Sequence, residues 1–332
     1  RSENKIQIHE LLNVPLKKVE KKSSVKLINA IIQQRSIKSD EEISEIKNAL
    51  EVTNLIHLKS MTATQPGKYE YEIVSEMEKI IKDHSLELAY PIIFTKNGQI
   101  LHNSIYNNKI EQDNLLLNDS GANSKLHYAS DITRTFPANG KFSTKQKEIY
   151  LIVKKMQEAV LKKLKPGINF KDMHKLSAYI GIQGLKELGL LKGSCEDAVD
   201  AGVYGLFYPH GLGHMLGLDV HDMESLGEDL VGYDKESKRE LEFGITFLRL
   251  GKKLEKGFCI TVEPGIYFIP ELFNQWKKDN KHSNFINYDK FEKYLDFGGI
   301  RIEDNILITN HKSENLSDFI IKEVDDIESI MN

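Results

Sequence analysis

The chain has 332 residues, and 45 basic against 49 acidic side chains leave a net charge of −4. Apolar residues at 40% and charged residues at 28% describe a globular chain with enough length for a sizeable core, and exclude a disordered one. The near-neutral balance announces no basic face for nucleic acid, no apolar run approaches the ~18 residues of a membrane helix, and two cysteines, Cys195 and Cys259, make no disulfide framework, so a cytoplasmic location with no nucleic-acid or membrane partner is expected.

The first stretch is patchy. Lys17, Lys18, Lys21 and Lys22 form a basic run ahead of the apolar residues 27–32, read either as the tail of something larger or as a solvated helix with a lysine face. From Ser39 the pattern sharpens. Ser39-Asp40-Glu41-Glu42 reads as a capping box, and Ile43, Ile46, Leu50, Thr53 and His57 follow at helical spacing until Gln65-Pro66-Gly67. A second amphipathic helix carries Ile73, Val74, Met77, Ile80 and Ile81. A third starts at Ser143 and runs through Ile149, Ile152, Val153, Met156, Val160 and Leu164 to Pro166-Gly167, and a fourth lies between Lys171 and Leu188. Residues 115–117, 132–136, 258–262, 266–269, 300–302 and 306–309 read as strands. Helices and strands mix without βαβ alternation, which favours an α+β fold. Residues 224–256 and 270–297 read as long irregular loops.

Acidic side chains sit at the ends of these apolar strands. Asp119 follows Leu115-Leu116-Leu117-Asn118, Asp131 precedes Ile132, Glu263 follows Ile260-Thr261-Val262, and Glu303 follows Ile300-Arg301-Ile302. An isolated buried carboxylate is expensive. Each one could meet its own base, with Arg134 and Arg301 close by in the chain, or all four could converge on cations. For a single carboxylate the ion pair is the simpler account. For four, joined by a histidine-rich turn, a shared metal site is favoured. That turn runs from Pro209 through His210, Gly211, Gly213, His214 and Gly217 to His221 and Asp222, its glycines letting backbone approach a ligand. His9, His57, His84, His174, His282 and His311 read as structural. The Gly211-x-Gly213-x-x-x-Gly217 spacing fails as a dinucleotide loop, since no hydrophobic strand precedes it. One imidazole and four carboxylates form an oxygen-dominated set, suited to manganese, magnesium, calcium or iron(II), with zinc and cobalt open. Four single negative charges offset two divalent cations, which at ~3.5–4 Å separation can acidify a shared water.

These residues resemble the pita-bread metallopeptidase family (M24), most closely its aminopeptidase P and prolidase branch. The resemblance rests on Asp119-Ser120-Gly121-Ala122, Tyr128-Ala129-Ser130-Asp131-Ile132-Thr133-Arg134-Thr135-Phe136-Pro137, the turn from Pro209 to His221, Thr261-Val262-Glu263-Pro264-Gly265-Ile266-Tyr267, and Gly299-Ile300-Arg301-Ile302-Glu303-Asp304. It implies an α+β pita-bread fold of curved antiparallel sheets covered by helices. It implies five metal ligands, Asp119, Asp131, His214, Glu263 and Glu303, with Asp131 and Glu303 bridging two divalent ions. Manganese is the ion usual in this branch, with cobalt, zinc and iron as alternatives. His102, His210 and His221 would bind substrate or stabilise the intermediate, Arg301 would support the bridging carboxylates, and Tyr267 would line the site. The implied reaction is attack of a metal-bridging hydroxide on an Xaa-Pro bond, with Glu263 carrying a proton to the leaving nitrogen and His221 or His210 at the oxyanion. The implied partners are peptides with proline in second position, and a homodimer is admitted. A prolidase and a non-catalytic peptide-binding module are the alternatives, and a methionine aminopeptidase fits less well.

The pattern departs from the family at Asn118, Ser120, Asn123 and Asn305, and by one extra residue between Asp119 and Asp131, around Leu126-His127-Tyr128. Relatives carry a full α/β domain ahead of the catalytic one. Residues 1–37, which begin with Arg1 rather than Met, are therefore expected to be a remnant or linker of such a domain, and 38–332 the catalytic domain.

Overall fold

In the computed structural model, which describes residues 2–331, the chain divides between Arg35 and Ser36 into two units. The first holds α1 (Ser2–Leu12) and nearly all of α2 (Val25–Ser36), joined by two 3-10 turns at Leu16–Lys18 and Glu20–Lys22. Pro15 lacks the N–H that a continued helix needs. The basic run is therefore not a helix face: Lys17, Lys18, Lys21 and Lys22 are exposed on the two tight turns, while residues 27–32 belong to α2.

The larger unit starts on a helix whose entry the sequence specifies. In α3 (Asp40–Ala63), Glu42 N donates to Ser39 Oγ at 3.3 Å and Ser39 N donates to Glu42 Oε2 at 2.8 Å. Ile46, Leu50 and Ile56 are fully buried along one face. α4 (Glu70–Asp83) follows, burying Ile73, Val74, Met77 and Ile81. Next come β1 (Glu87–Leu88), β2 (Ile93–Thr95), β3 (Leu115–Ser120), β4 (Ala122–Asn123) and β5 (Ile132–Pro137). Three helices, α5 (Thr144–Leu161), α6 (Phe170–Glu187) and α7 (Cys195–Asp200), precede the histidine-rich turn. α5 begins at the expected Ser143 cap, and a Cβ on Gly184 of α6 would lie 2.6 Å from Ile152 Cγ1, so glycine sets how closely α5 and α6 pack. The chain finishes with α8 (Glu228–Gly232), β6 (Cys259–Val262), β7 (Gly265–Tyr267), α9 (Pro270–Lys278), α10 (Tyr288–Phe291), β8 (Gly299–Arg301), β9 (Asp304–Ile308), β10 (Ser313–Asn315) and α11 (Val324–Met331).

Every strand pairing is antiparallel, in sheets ordered β2-β3-β5, β10-β9-β6, β7-β8 and β1-β4. This is the α+β architecture expected. Residues 270–297 are less irregular than expected, because Pro270 takes the first-turn position of α9, where its missing N–H costs nothing, and Phe273 and Trp276 are buried. Residues 224–256 likewise contain α8.

Two features position the site. The first is a polar layer between α3 and β3. Asn118 Nδ2 donates to His57 Nδ1 at 3.2 Å and Ser60 Oγ at 3.0 Å, and His57 Nε2 lies 3.3 Å from Ser120 O. Asn118 and Ser120, two of the departures from the family pattern, thus brace β3 from behind. The second is a pair of fully buried ion pairs. Arg134 spends every guanidinium hydrogen: on Asp304 at 2.8 Å and on the carbonyls of Thr133, Glu303, Ile320 and Ile321. Lys38 Nζ meets Asp222 at 2.9 Å, with both side chains 1% exposed, and so ties the end of the histidine turn to the chain just before α3.

Removing either partner deprives the other buried charge of this counter-ion. Lys38→Met is expected to cost roughly 3–5 kcal/mol, and the double variant Lys38→Met/Asp222→Leu to recover most of it. Urea unfolding measures both, and a Lys38→Met chain as stable as the parent would contradict the pairing.

Candidate metal centre

Antiparallel register brings the carboxylates together. In the β3–β5 pair Asp119 lies opposite Thr133, and Asp131 stands immediately before β5. The β6–β9 pairing ends at Val262 opposite Asp304, and the β7–β8 pairing starts at Gly265 opposite Arg301. Both partners leave their sheets at the same level, and Glu263 and Glu303 emerge there. Thr133 Oγ1 then donates to Glu303 Oε2 at 2.7 Å, joining the two halves. The histidine turn runs beside β6, where Thr261 N donates to His214 O at 3.0 Å and Glu263 N to Leu212 O at 2.8 Å. A Cβ on Gly213 would lie 2.1 Å from Thr261 O. On its Cβ side that glycine therefore admits the protein's own backbone, while the residue also lines the cavity around the carboxylates.

The nine residues expected to bind metal or act on substrate line one cavity of about 880 Å³, whereas Tyr267, expected to line it as well, is fully buried behind Arg301 and His210. Asp131, His214 and Glu303 are buried, with ligand atoms all within 4.8 Å of one another, a metal-binding triad. His214 Nδ1 lies 3.0 Å from Met215 O, a bond that turns Nε2 toward Asp131 Oδ2 at 3.3 Å and Glu263 Oε1 at 3.6 Å. Asn305, another departure, clamps the backbone of Asp131 at both ends: Asp131 N donates to Asn305 Oδ1 at 3.1 Å, and Asn305 Nδ2 donates to Asp131 O at 2.6 Å. The two anticipated arginines have different outcomes. Arg301, expected to support Asp131 and Glu303, has its Nη2 on Asp119 at 2.5 Å instead and reaches Glu303 through Thr133, to whose Oγ1 its Nε donates at 3.0 Å. Arg134 pairs instead with Asp304, because its side chain leaves β5 on the side of residues 320–321.

Tyr90, with no motif to mark it in the sequence, donates to Asp119 Oδ1 at 2.6 Å and lies 2.5 Å from Asp131 Oδ1. One hydroxyl hydrogen cannot serve two carboxylates, so the second contact calls for a proton on one acid or a cation beside them. Arg301 Nη1 donates to Tyr267 Oη at 3.0 Å, and Tyr267 Oη lies 2.8 Å from His210 Nε2. His210 Nδ1 lies 2.8 Å from Gly211 O, so both of its ring nitrogens are engaged.

Burial raises Asp119 against the pull of Arg301, raises Glu263 to about 7, and with the neighbouring carboxylates raises Glu303 well above the usual range. Burial alone would lower His214, but Asp131 and Glu263 outweigh it and bring it to about 9. Burial keeps His210, at about 3, and His221, at about 2, neutral, and lowers His102. Glu303 Oε1 is buried without a hydrogen-bond partner. Raised carboxylates, an imidazole nitrogen aimed at them and an orphaned oxygen together fit divalent cations, which would stand where protons now do.

An antiparallel α+β fold enclosing such a carboxylate–histidine centre has the features of the pita-bread class of proteins. The model of metallopeptidase family M24 matches residues 44–310, and the chain belongs to that family. It is 37% identical over 310 residues to a probable Xaa-Pro aminopeptidase of Botryotinia fuckeliana, covering 92% of this chain and 65% of that protein. It is 37% identical over 303 residues to the Xaa-Pro aminopeptidase of Haemophilus influenzae, covering 90% and 62%. A variant of Escherichia coli aminopeptidase P in complex with substrate superposes with a TM-score of 0.75 at 33% identity, covering 91% and 61%. The chain thus spans less than two thirds of the length of each of these relatives. Among its described residues no helix is long and apolar enough to cross a membrane.

Protons and cations compete for this centre. Glu263 shifts from 4.5 to about 7 on folding, so its stabilising share is complete below pH 4.5 and is lost as pH rises through about 7. The share of His214, raised from 6.5 to about 9, is complete below pH 6.5 and is lost as pH rises through about 9. Both make the metal-free chain weaker at alkaline pH. The rise in Tm on adding manganese is therefore expected to be small near about pH 5 and to grow toward about pH 8. Calorimetry at both values checks this, and an increment independent of pH would contradict it.

Proposed function

We propose that the chain is a dinuclear metal-dependent aminopeptidase that hydrolyses the bond between an N-terminal residue and proline. The observation that carries this reading is the convergence of four carboxylates and the His214 ring in one buried centre with an orphaned Glu303 oxygen. Asp119, Asp131, His214, Glu263 and Glu303 would hold two divalent ions, manganese being the one that the likeness to the aminopeptidase P branch implies and the oxygen-rich donor set admits, with cobalt, zinc and iron as alternatives. When bound, the ions supply Lewis-acid polarisation of the scissile carbonyl and an acidified water.

The chain's own groups divide the remaining work. Glu263 would take up a proton from the acidified water and pass it to the departing proline nitrogen. Of the two histidines considered for the oxyanion, His210 has both nitrogens engaged, whereas the partly exposed His221 has only a 3.5 Å approach to Glu224 Oε2 among the described residues. His221 is therefore assigned to the oxyanion. Arg301 positions Asp119 and, through Tyr267, His210, while His102 stands on the cavity wall to bind substrate.

Cleavage of longer peptides is favoured over a dipeptidase by the charges on the wall. A dipeptidase must bind the free carboxylate of the proline itself. The cavity's two arginines are already committed, Arg301 to Asp119 and Arg249 to Glu224 and Glu228. The relatives named above bear the name Xaa-Pro aminopeptidase or aminopeptidase P, which supports the same substrate. Both cysteines are free and buried, which supports a reducing, cytoplasmic setting.

With manganese present, Ala-Pro-Ala should be cleaved at least about tenfold more efficiently than Ala-Pro, and a chelator should abolish both activities. Equal rates on the two, or activity untouched by chelation, would overturn the reading. Asp131→Ala and Glu303→Ala should leave less than about 1% of turnover and lower the metal content by elemental analysis. His102→Ala should slow turnover roughly 100-fold with metal content intact, and loss of metal from that variant would move His102 into the ligand set.

A further inference from the structure

The cavity that holds the carboxylates stays open on one side, and its outer wall comes from the two long segments 224–256 and 270–297. The first contributes Phe243, Phe247 and Arg249, and the second Glu271, Leu272 and Gln275. Phe243 and Phe247 stand edge to face with ring centroids 5.9 Å apart, and Trp276 reaches Phe243 from the second segment at 6.3 Å. Phe247 is nevertheless 52% exposed and Phe243 39%. Aromatic rings left in water at the mouth of a substrate cavity hold contact area in reserve for a ligand.

The aromatic edge is fixed in place. Arg239 Nη1 donates to Thr246 O at 2.7 Å and Leu248 O at 3.0 Å, the carbonyls on either side of Phe247. Its Nε donates to Asp229 at 2.7 Å, its Nη2 donates to Glu228, and its guanidinium lies 4.7 Å from the centre of the Tyr233 ring. Tyr233 in turn donates to Leu248 O at 2.6 Å. A Cβ on Gly211 would lie 2.9 Å from Phe247 O, so this edge rests on the residue next to His210. A clamp of this kind presents its aromatic side chains with their ordering entropy already spent.

We infer that these two segments form a subsite for the peptide downstream of proline, selective for an apolar or aromatic side chain and against an acidic one. The inference rests on the aminopeptidase reading above. Cleavage after the first residue leaves a single residue on the N-terminal side, so the open mouth receives the residues beyond the proline. Glu271, exposed on this wall without an ion pair among the described residues, repels an acidic side chain there, and Arg249 is neutralised by Glu224 and Glu228.

The test compares kcat/KM on Ala-Pro-X-Ala with X as Phe, Leu, Ala or Asp, using the manganese-loaded whole chain. The parent should favour Phe over Ala by about tenfold, mainly through KM, with Asp poorest. In Phe247→Ala the Phe-to-Ala ratio should fall toward one, and in Phe247→Leu most of it should persist. Glu271→Gln should narrow the gap between Ala and Asp. A ratio near one in the parent, or a ratio unchanged in Phe247→Ala, would overturn the subsite, as would a preference that tracks the first residue in X-Pro-Ala-Ala and not the third. If the parent cleaves no proline peptide, the function proposed above fails, and calorimetric binding of the same series decides the subsite on its own. Tighter binding of the Phe peptide that is lost in Phe247→Ala supports it, and equal affinities reject it.

Discussion

Four carboxylates gathered where water is scarce cannot all remain ionised unaided, and the fold is arranged around that electrostatic constraint. Asp119 is offset by Arg301, while Glu263 and Glu303 are pushed toward their protonated forms. The backbone that carries the acids is held by groups with their own full set of partners. Asn305 grips Asp131 at both its N–H and its carbonyl, and Arg134 grips the carbonyls of Thr133 and Glu303. Such bracing keeps like charges close when nothing but a proton or a cation favours their approach.

The larger unit thus has two tiers of different character. The chemistry-bearing tier sits at strand ends in paired sheets, where antiparallel register sets positions closely. The outer tier is loop and short helix, clamped by ion pairs such as those of Arg239 and Arg249. The division leaves the outer segments free to differ in length and composition without disturbing the carboxylates. Lys38 and Asp222 link the tiers, pinning the residue after His221 to the entrance of α3.

Much of this was legible in the residues. Capping boxes at Ser39 and Ser143 and apolar periodicity placed α3 to α6, and acids at strand ends marked the centre. Contributions without a local signature were not legible. Tyr90 lies in an irregular stretch between β1 and β2, and only the pairing of β2 with β3 brings that stretch beside Asp119. Asn118 and Asn305 read as departures from a pattern, whereas in three dimensions each satisfies a buried group of a neighbouring element. Segments 224–256 and 270–297 read as irregular loops because much of their order comes from side-chain ion pairs and aromatics far apart in the chain, and their helices, α8, α9 and α10, are short.

By itself, then, the order of residues determined helices α3 to α6, the longer strands and the chemical type of the site, since caps, periodicity and the cost of burying charge are local properties. Tertiary structure alone decided which base meets which acid, sending Arg301 to Asp119 and Arg134 to Asp304. It alone decided that Gly213 admits the backbone of Thr261, and that distant aromatics form one wall of the cavity. The physical reason is that partner choice for a buried charge and the shape of a cavity depend on which faces of separate elements come to oppose each other, and no window of sequence contains both faces.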